Sequence, residues 1–206
     1  MIWTSETPPY YGIDLAVGLG GPLLLLALRR SGYLKARSWR VFWLGALLGA
    51  VGEVPVFLLS AYGATPVIVW IRALPAPAWL FLISHTLWDG LLFLAGTWLV
   101  EAACRPPALV RFRWAELAVL IAWGQAQELA VEVSSVLNDA WVYVPGHWWN
   151  PTLFHVAGHP ITLLPQLAWL VLCVAFYPLA LRGESARVPP GDRSGEAGRG
   201  PTSITP

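Results

Sequence analysis

Five apolar segments, each about as long as a bilayer is thick, account for most of this chain. They run over residues 11–28, 41–61, 78–100, 115–137 and 161–181. A helix rises ~1.5 Å per residue, so about 20 residues cross the ~30 Å of hydrocarbon. Because lipid offers no partner to backbone N–H and C=O groups, such spans are predicted to be helices. The sequence therefore predicts an all-α, polytopic membrane protein, a five-transmembrane-helix bundle within residues 1–182.

The composition agrees with a membrane protein and argues against several other classes. Of 206 residues, 56% are hydrophobic and only 12% are charged, whereas soluble domains carry about 25% charged residues. The arginines are spread between the apolar segments and form no basic patch, so no nucleic-acid partner is expected. Two cysteines, Cys104 and Cys173, indicate neither a disulfide framework nor a zinc site. No metal or cofactor is expected.

The basic residues fall almost entirely on one side of the predicted bundle. Twelve of the thirteen lie after the first, third and fifth segments or in the tail: Arg29, Arg30, Lys35, Arg37, Arg40, Arg105, Arg111, Arg113, Arg182, Arg187, Arg193 and Arg199. Only Arg72 lies on the other side. The positive-inside rule then predicts an N-out, C-in chain in a bacterial plasma membrane. Residues 183–206, rich in Gly, Pro, Ser and Arg, are predicted to be a disordered cytoplasmic tail.

Several ionisable side chains interrupt the apolar segments. They are Glu53, His85, Asp89, Glu128 and Glu132. Such groups are costly at membrane depth, and each is a candidate functional residue. Counted at ~1.5 Å per residue from the segment ends, all five fall in the outer half of the bilayer.

Polar residues form a stripe on one face of each of three segments. The stripes are His85 and Asp89, then Gln125, Glu128 and Glu132, and finally Gln166 and Trp169. Residues three, four or seven apart share a helix face. Separate lipid-facing stripes would be very expensive, so we expect them to turn inward, together with Glu53, onto one cavity.

The expected cavity would combine carboxylic acids with aromatic rings. A carboxylic acid in a dry pocket can act as a general acid toward an alkene or an epoxide. The resulting carbocation would be stabilised by a second carboxylate and by indole faces. Trp88, Trp123 and Trp169 lie on the same three segments. Residues 141–149 (WVYVPGHWW) are candidates for an aromatic cap over the outer opening.

Structural interpretations of the same residues stay open. Glu128 and Glu132 could form a hydrogen-bonding pair, and His85 with Asp89 could clamp two helices together. Glu53 could bond backbone groups freed by Pro55, and the tryptophans could serve as an interfacial belt. His155 and His159 have a metal-compatible spacing, but the neighbouring Gly158 and Pro160 favour a loop over a metal site.

Two family resemblances point to related chemistry. The fifth segment reads Gln166-Leu-Ala-Trp169-Leu-Val-Leu, the fourth stripe begins at Gly124-Gln125, and the second and third segments carry acids. In these features the chain resembles the emopamil-binding family of sterol double-bond isomerases. It departs from that family in having Gly49 instead of a histidine one turn before Glu53, and in the position of Asp89. Glu53 also resembles the intramembrane acid of small membrane-bound terpene cyclases.

Two functional hypotheses follow. The first is an enzyme that protonates an isoprenoid or sterol-like substrate, causing cyclisation or double-bond isomerisation. Glu53 and Asp89 would be the acid and the counter-base, and His85, Glu128 and Glu132 would shape the protonation. The side chains expected to position the substrate are Gln125, Gln166, Trp169, Trp88 and Trp123. The second hypothesis is a non-enzymatic membrane protein whose polar pocket relays protons or ions, or binds lipid.

Overall fold

Five helices make up most of residues 7–185, the part of the chain described by the computed structural model. They are α1 (Pro9–Arg30), α2 (Ala36–Tyr62), α3 (Ala78–Ala103), α4 (Trp114–Leu137) and α5 (Leu163–Ser185). The predicted tail at 183–206 lies outside the described residues, except that α5 continues to Ser185.

The helices have the length and composition of a polytopic membrane protein. Within residues 7–185, four are long and apolar enough to cross a membrane, namely α1, α2, α3 and the stretch 163–181 of α5. The exception is α4, whose 24 residues include Glu116, Glu128 and Glu132. The coarse prediction of a helical, multi-pass membrane protein is therefore confirmed.

The prediction of an all-α fold is wrong in the connections at one end of the bundle. There β1 (Ile68–Trp70) pairs antiparallel with β2 (Trp141–Tyr143), and β3 (Thr152–Val156) with β4 (His159–Thr162). The β1–β2 pairing joins the loop after α2 to the loop after α4, so no local sequence pattern reveals it. Their residues, Ile-Val-Trp and Trp-Val-Tyr, are of the β-branched and aromatic types that favour strands.

The segment that was expected to be a loop around Gly158 is a β-hairpin. His155 pairs with Pro160 and Val156 with His159. The two turn residues, Ala157 and Gly158, both have positive φ angles, 52° and 83°, as a tight hairpin turn requires. Because β4 extends to Thr162, α5 begins at Leu163 instead of the predicted 161.

The polar residues lie between two apolar clusters. We call the end of the bundle with the strands the strand end, and the other the arginine end. The arginine-end cluster includes Phe42, Phe93, Leu94, Leu120 and Phe176. The strand-end cluster includes Tyr11, Leu15, Phe81, Trp141 and Tyr143. Along the central helix α3, which packs against α1, α2 and α4, His85 and Asp89 come between Phe81 and Phe93.

One buried acid at the arginine end has a structural role. Glu116 is fully buried. Its Oε2 accepts hydrogen bonds from the Tyr177 hydroxyl (2.7 Å) and the Leu109 backbone N–H (3.1 Å). Because one donor belongs to α5 and the other to the loop before α4, Glu116 joins these two elements to α4. It lies near the start of α4, more than three turns before Glu128.

Candidate functional site

An acidic, aromatic cavity of about 380 Å³ lies toward the strand end of the bundle. Its ionisable lining residues are Asp14, Glu53, His85, Asp89 and Glu128. Its aromatic lining residues are Tyr10, Trp88, Trp141, Tyr143 and Trp169. The volume falls within the ~300–1,000 Å³ typical of small-molecule sites. We call it the acidic cavity.

His85 lies between two carboxylates from different helices. Its Nε2 is 2.8 Å from Asp14 Oδ2 on α1, and its Nδ1 is 3.8 Å from Glu53 Oε2 on α2. The hydroxyl of Ser84 lies 3.0 Å from Asp14 Oδ1 and 2.9 Å from the Asp14 carbonyl oxygen. Both carboxylate oxygens of Asp14 thus have a polar neighbour, which fixes the carboxylate and, through it, the imidazole ring.

Glu53 is the more accessible of these two carboxylates. Its side chain is 26% exposed, compared with 7% for Asp14. A buried carboxylate that contacts a histidine fixes the orientation of its ring, and a side chain positioned in this way can transfer a proton. Glu53 therefore has the access to reach a substrate, and Asp14 has the contacts to hold His85.

Asp89 lies one turn beyond His85 and is buried against α2. It faces Gly49, where a methyl group on the glycine would overlap the Asp89 carboxylate. The absence of a side chain at Gly49 thus makes room for this acid. The proposed His85–Asp89 clamp does not describe the contacts of His85, whose ion-pair partners are Asp14 and Glu53.

Glu128 and Trp169 bring α4 and α5 to the same cavity. Glu128 is buried, and its carboxylate interacts with the Trp169 indole. Trp169 in turn stacks on Phe93, with ring centroids 5.0 Å apart and planes at 27°. Glu128 and Trp169 therefore both belong to the wall of the acidic cavity.

Four of the predicted site residues lie outside the lining of the acidic cavity, namely Trp123, Gln125, Glu132 and Gln166. Their hydrogen bonds join neighbouring helices or a strand instead. The Trp123 indole donates to the Leu92 carbonyl at 2.9 Å, which joins α4 to α3. The Gln125 amide donates to the Gln166 carbonyl at 3.0 Å, which joins α4 to α5.

Glu132 is the fourth of these residues, and it serves as a structural acceptor. It is fully buried, and its Oε1 accepts a 2.8 Å hydrogen bond from the Thr162 backbone N–H. This contact ties the end of β4 and the start of α5 to α4. Glu132 lies four residues after Glu128 on α4, so the two share a helix face. Its hydrogen bond to Thr162, at the end of β4, is a contact between distant parts of the chain that no sequence pattern indicates.

Sequence reasoning missed Asp14, which is the closest partner of His85. It lies in the first turns of the first apolar segment, at the same end of the bundle as His85. At ~1.5 Å per residue Asp14 falls about 5 Å below the outer end of the first segment, so the same depth argument puts it in the outer half of the bilayer with Glu53 and His85.

Strand β2 supplies part of the cavity wall. Of the predicted aromatic cap at 141–149, Trp141 and Tyr143 line the cavity, whereas Trp148 is 92% exposed. Burial, and then the nearby carboxylates of Glu128 and Glu53, raise the pKa of Tyr143 well above its usual range. Its hydroxyl therefore stays protonated and can donate a hydrogen bond. The Trp141 indole N–H is buried with no hydrogen-bond partner among residues 7–185.

The arrangement combines proton-transfer groups with cation-stabilising faces. Carboxylates and an imidazole can exchange protons with a bound molecule, and aromatic faces attract positive charge. Among the residues that the structure describes, no group of three or more His, Cys, Asp and Glu side chains is arranged to hold a metal ion. The carboxylates and the imidazole of this cavity offer acid–base chemistry in a largely apolar space.

Replacing Gly49 with alanine should disturb the acidic cavity specifically. The new methyl group overlaps Asp89, so Gly49→Ala is expected to lower the free energy of unfolding by about 1–3 kcal/mol. Gly20→Ala is the control, because nothing lies within 4 Å of a methyl group there, and alanine favours the helix by up to ~1 kcal/mol. Thermal unfolding in detergent would measure both. Equal stability of the two variants would contradict the close Gly49–Asp89 contact.

Comparisons with protein-family models, with curated proteins and with solved structures find no match to this chain. Its function is therefore argued from the cavity and the residues that line it.

Proposed function

We propose that this protein is an integral membrane enzyme that protonates an isoprenoid or sterol-like substrate, giving cyclisation or double-bond isomerisation. One observation carries the proposal. Four carboxylates and a histidine from four helices line a single cavity whose other walls are largely aromatic and aliphatic. Proton donors in an apolar, aromatic-lined space suit a substrate that has a double bond and little polarity.

The proposed reaction needs no atoms other than those of the substrate and a proton. Glu53 donates its carboxyl proton to one carbon of a double bond, whose π electrons form the new C–H bond. Positive charge then rests on the neighbouring carbon, beside the aromatic faces of Trp88 and Trp169. Asp89 removes a proton from an adjacent carbon, and that C–H electron pair becomes the new double bond. If a second double bond attacks the cation first, a ring closes before the proton leaves.

The remaining polar residues would support this exchange. Asp14 holds His85. After each turnover the proton taken up by Asp89 passes to His85, one helical turn away, and His85 lies close enough to Glu53 to return it. Glu128 places its carboxyl oxygens in the wall shared with Trp169, and their partial negative charge favours a cationic intermediate. Asp14 and His85 are thus proposed as positioning and proton-return residues, and Glu53 and Asp89 as the catalytic residues.

A proton or ion relay is the alternative, and the packing below the cavity disfavours it. A relay across the membrane needs polar groups on both sides of the acidic cavity. Toward the arginine end, the bundle instead contains the apolar cluster around Phe42, Phe93 and Phe176, all of which are buried. A site that only binds lipid would not require four acids in one cavity, because apolar side chains alone can hold a hydrocarbon chain.

We further propose that all five helices cross a bacterial plasma membrane, N-out and C-in. The acids that make α4 less apolar than its neighbours are buried within the bundle, so they do not prevent it from spanning. The basic residues between the helices cluster at the arginine end, which the positive-inside rule puts in the cytoplasm. The acidic cavity would then open toward the outer leaflet.

Catalysis is tested by supplying the protein in membranes with farnesyl- or geranylgeranyl-type compounds and with sterols in D₂O. The expected product is an isomer that has gained deuterium at the protonated carbon, detected by mass spectrometry and NMR. Glu53→Gln and Asp89→Asn should each lower the rate at least ~10²-fold, because each removes one proton-transfer partner.

Glu101→Gln is the matched control for these variants, since Glu101 is a half-exposed acid paired with Arg37 at the arginine end. It should keep the wild-type rate. If wild type leaves every substrate unaltered while Glu53→Gln abolishes a proton flux, the enzyme proposal fails and the relay is favoured.

The topology is tested with two exposed positions at opposite ends of the bundle. Tyr33, in the α1–α2 turn, is 82% exposed, and Trp148, in the loop after β2, is 92% exposed. In a Cys104→Ala background, a membrane-impermeant maleimide applied to intact cells should label Trp148→Cys and not Tyr33→Cys. Permeabilisation should make both react. The reverse labelling pattern would contradict the N-out orientation.

A further inference from the structure

A second cavity, of about 230 Å³, lies beside the acidic cavity between α2, α3 and β1. Its lining residues are Glu53, Val56, Phe57, Ser60, Ala61, Ile68, Trp70, Ala78, Leu82 and His85. Three of these, Glu53, Ile68 and His85, also line the acidic cavity. The two spaces therefore meet at these three side chains. We call the second one the side cavity.

Side chains from α2 and α3 reach the boundary between the two cavities. Glu53 reaches in from α2 and His85 from α3, with their nearest polar atoms 3.8 Å apart. Ile68 of β1 completes the shared boundary. Side chains can rotate to let a narrow ligand pass, so a flexible chain can occupy both spaces at once. A rigid fused-ring molecule would have to force Glu53 and His85 apart.

Apart from Glu53 and His85, the side chains that line the side cavity are mostly apolar. Its hydroxyl group, on Ser60, is already engaged, because it accepts hydrogen bonds from the backbone N–H groups of Ile68 (2.8 Å) and Val67 (3.2 Å). The remaining wall is aliphatic and aromatic, with Phe57, Leu82 and Trp70 as its larger members. A hydrocarbon chain suits these walls better than a polar headgroup, which would lose its hydration and gain few polar partners.

We propose that the side cavity holds the tail of a linear polyprenyl chain whose reacting double bond lies beside Glu53 in the acidic cavity. This rests on the proposed function and narrows it, since it selects an elongated isoprenoid over a sterol-like ring system. The acidic cavity alone lies near the lower end of the usual range for small-molecule sites, and the two cavities together fall well inside it. Glu53 is the residue at which the tail and the reactive end meet.

Photo-crosslinking tests where the tail lies. The full-length protein in lipid nanodiscs is irradiated with geranylgeraniol that carries a diazirine at the end remote from its hydroxyl, and the modified peptides are mapped. The expected adducts are on Val56, Phe57 or Leu82. Adducts confined to residues of the acidic cavity, such as Val131 or Trp169, would overturn the assignment.

Chain-length selectivity gives a second measurement. Ala61→Trp fills the side cavity and is expected to weaken binding of geranylgeraniol at least about tenfold, because apolar burial of the tail is lost. Binding of geraniol, which has half the length, should change less than about twofold. Leu59→Trp is the matched control, since Leu59 is 50% exposed on the same helix and lies outside both linings. Equal effects of Ala61→Trp on both alcohols would contradict the proposal.

The competing occupant and the proposed activity are tested separately. If hexadecanol prevents crosslinking of the diazirine probe as well as unlabelled geranylgeraniol does, the side cavity is a site for lipid acyl chains and the inference fails. If the probe labels the side cavity but is never turned over, the binding assignment stands and the enzyme proposal is what fails. If isoprenoids are turned over without labelling of the side cavity, only the assignment of the tail fails.

Discussion

A polar side chain inside a bilayer can be solvated only by other protein groups or by a cavity, and the architecture follows from that constraint. Asp14 lies in hydrogen-bonding range of both Ser84 and His85, and Glu132 accepts from the backbone of Thr162. Asp89 and Glu128 border the acidic cavity, as Asp14 also does. Each helix carries few such residues, so they must meet across helices, and this meeting fixes how the helices are rotated about their axes.

The same constraint explains why the strand end is built as it is. Polar residues in the middle of the bundle divide the apolar core into two clusters. The strand-end cluster would be small if helices alone formed it, and the β1–β2 pair adds Trp141 and Tyr143 to it. Tyr11 strengthens this junction, since its hydroxyl donates to the Ala140 carbonyl at 2.6 Å. The cavity is thus enclosed by an element that lies outside the helices.

Residue spacing and depth were enough to anticipate most of the candidate site, because both follow from helix geometry. Glu53, His85, Asp89 and Glu128 share one level, and they do line one cavity. Pairings between distant loops have no such periodicity, so β1–β2 and the capture of Glu132 by Thr162 could not be predicted. Trp123 and Gln125 share faces with the site, but their polar atoms bond to neighbouring backbone carbonyls. Asp14 was accessible to the same depth argument and was missed near a segment end.

The central claim is that acids from separate helices meet His85 in one site, and a double-mutant cycle tests it most directly. The free energy of unfolding is measured for Asp14→Asn, His85→Gln and the double variant, with Asp14→Asn and Glu101→Gln as the control pair. Groups 2.8 Å apart should show a coupling of about 0.5–3 kcal/mol, while the control pair, at opposite ends of the bundle, should be additive. Additivity of Asp14 and His85 within ~0.5 kcal/mol would contradict the account.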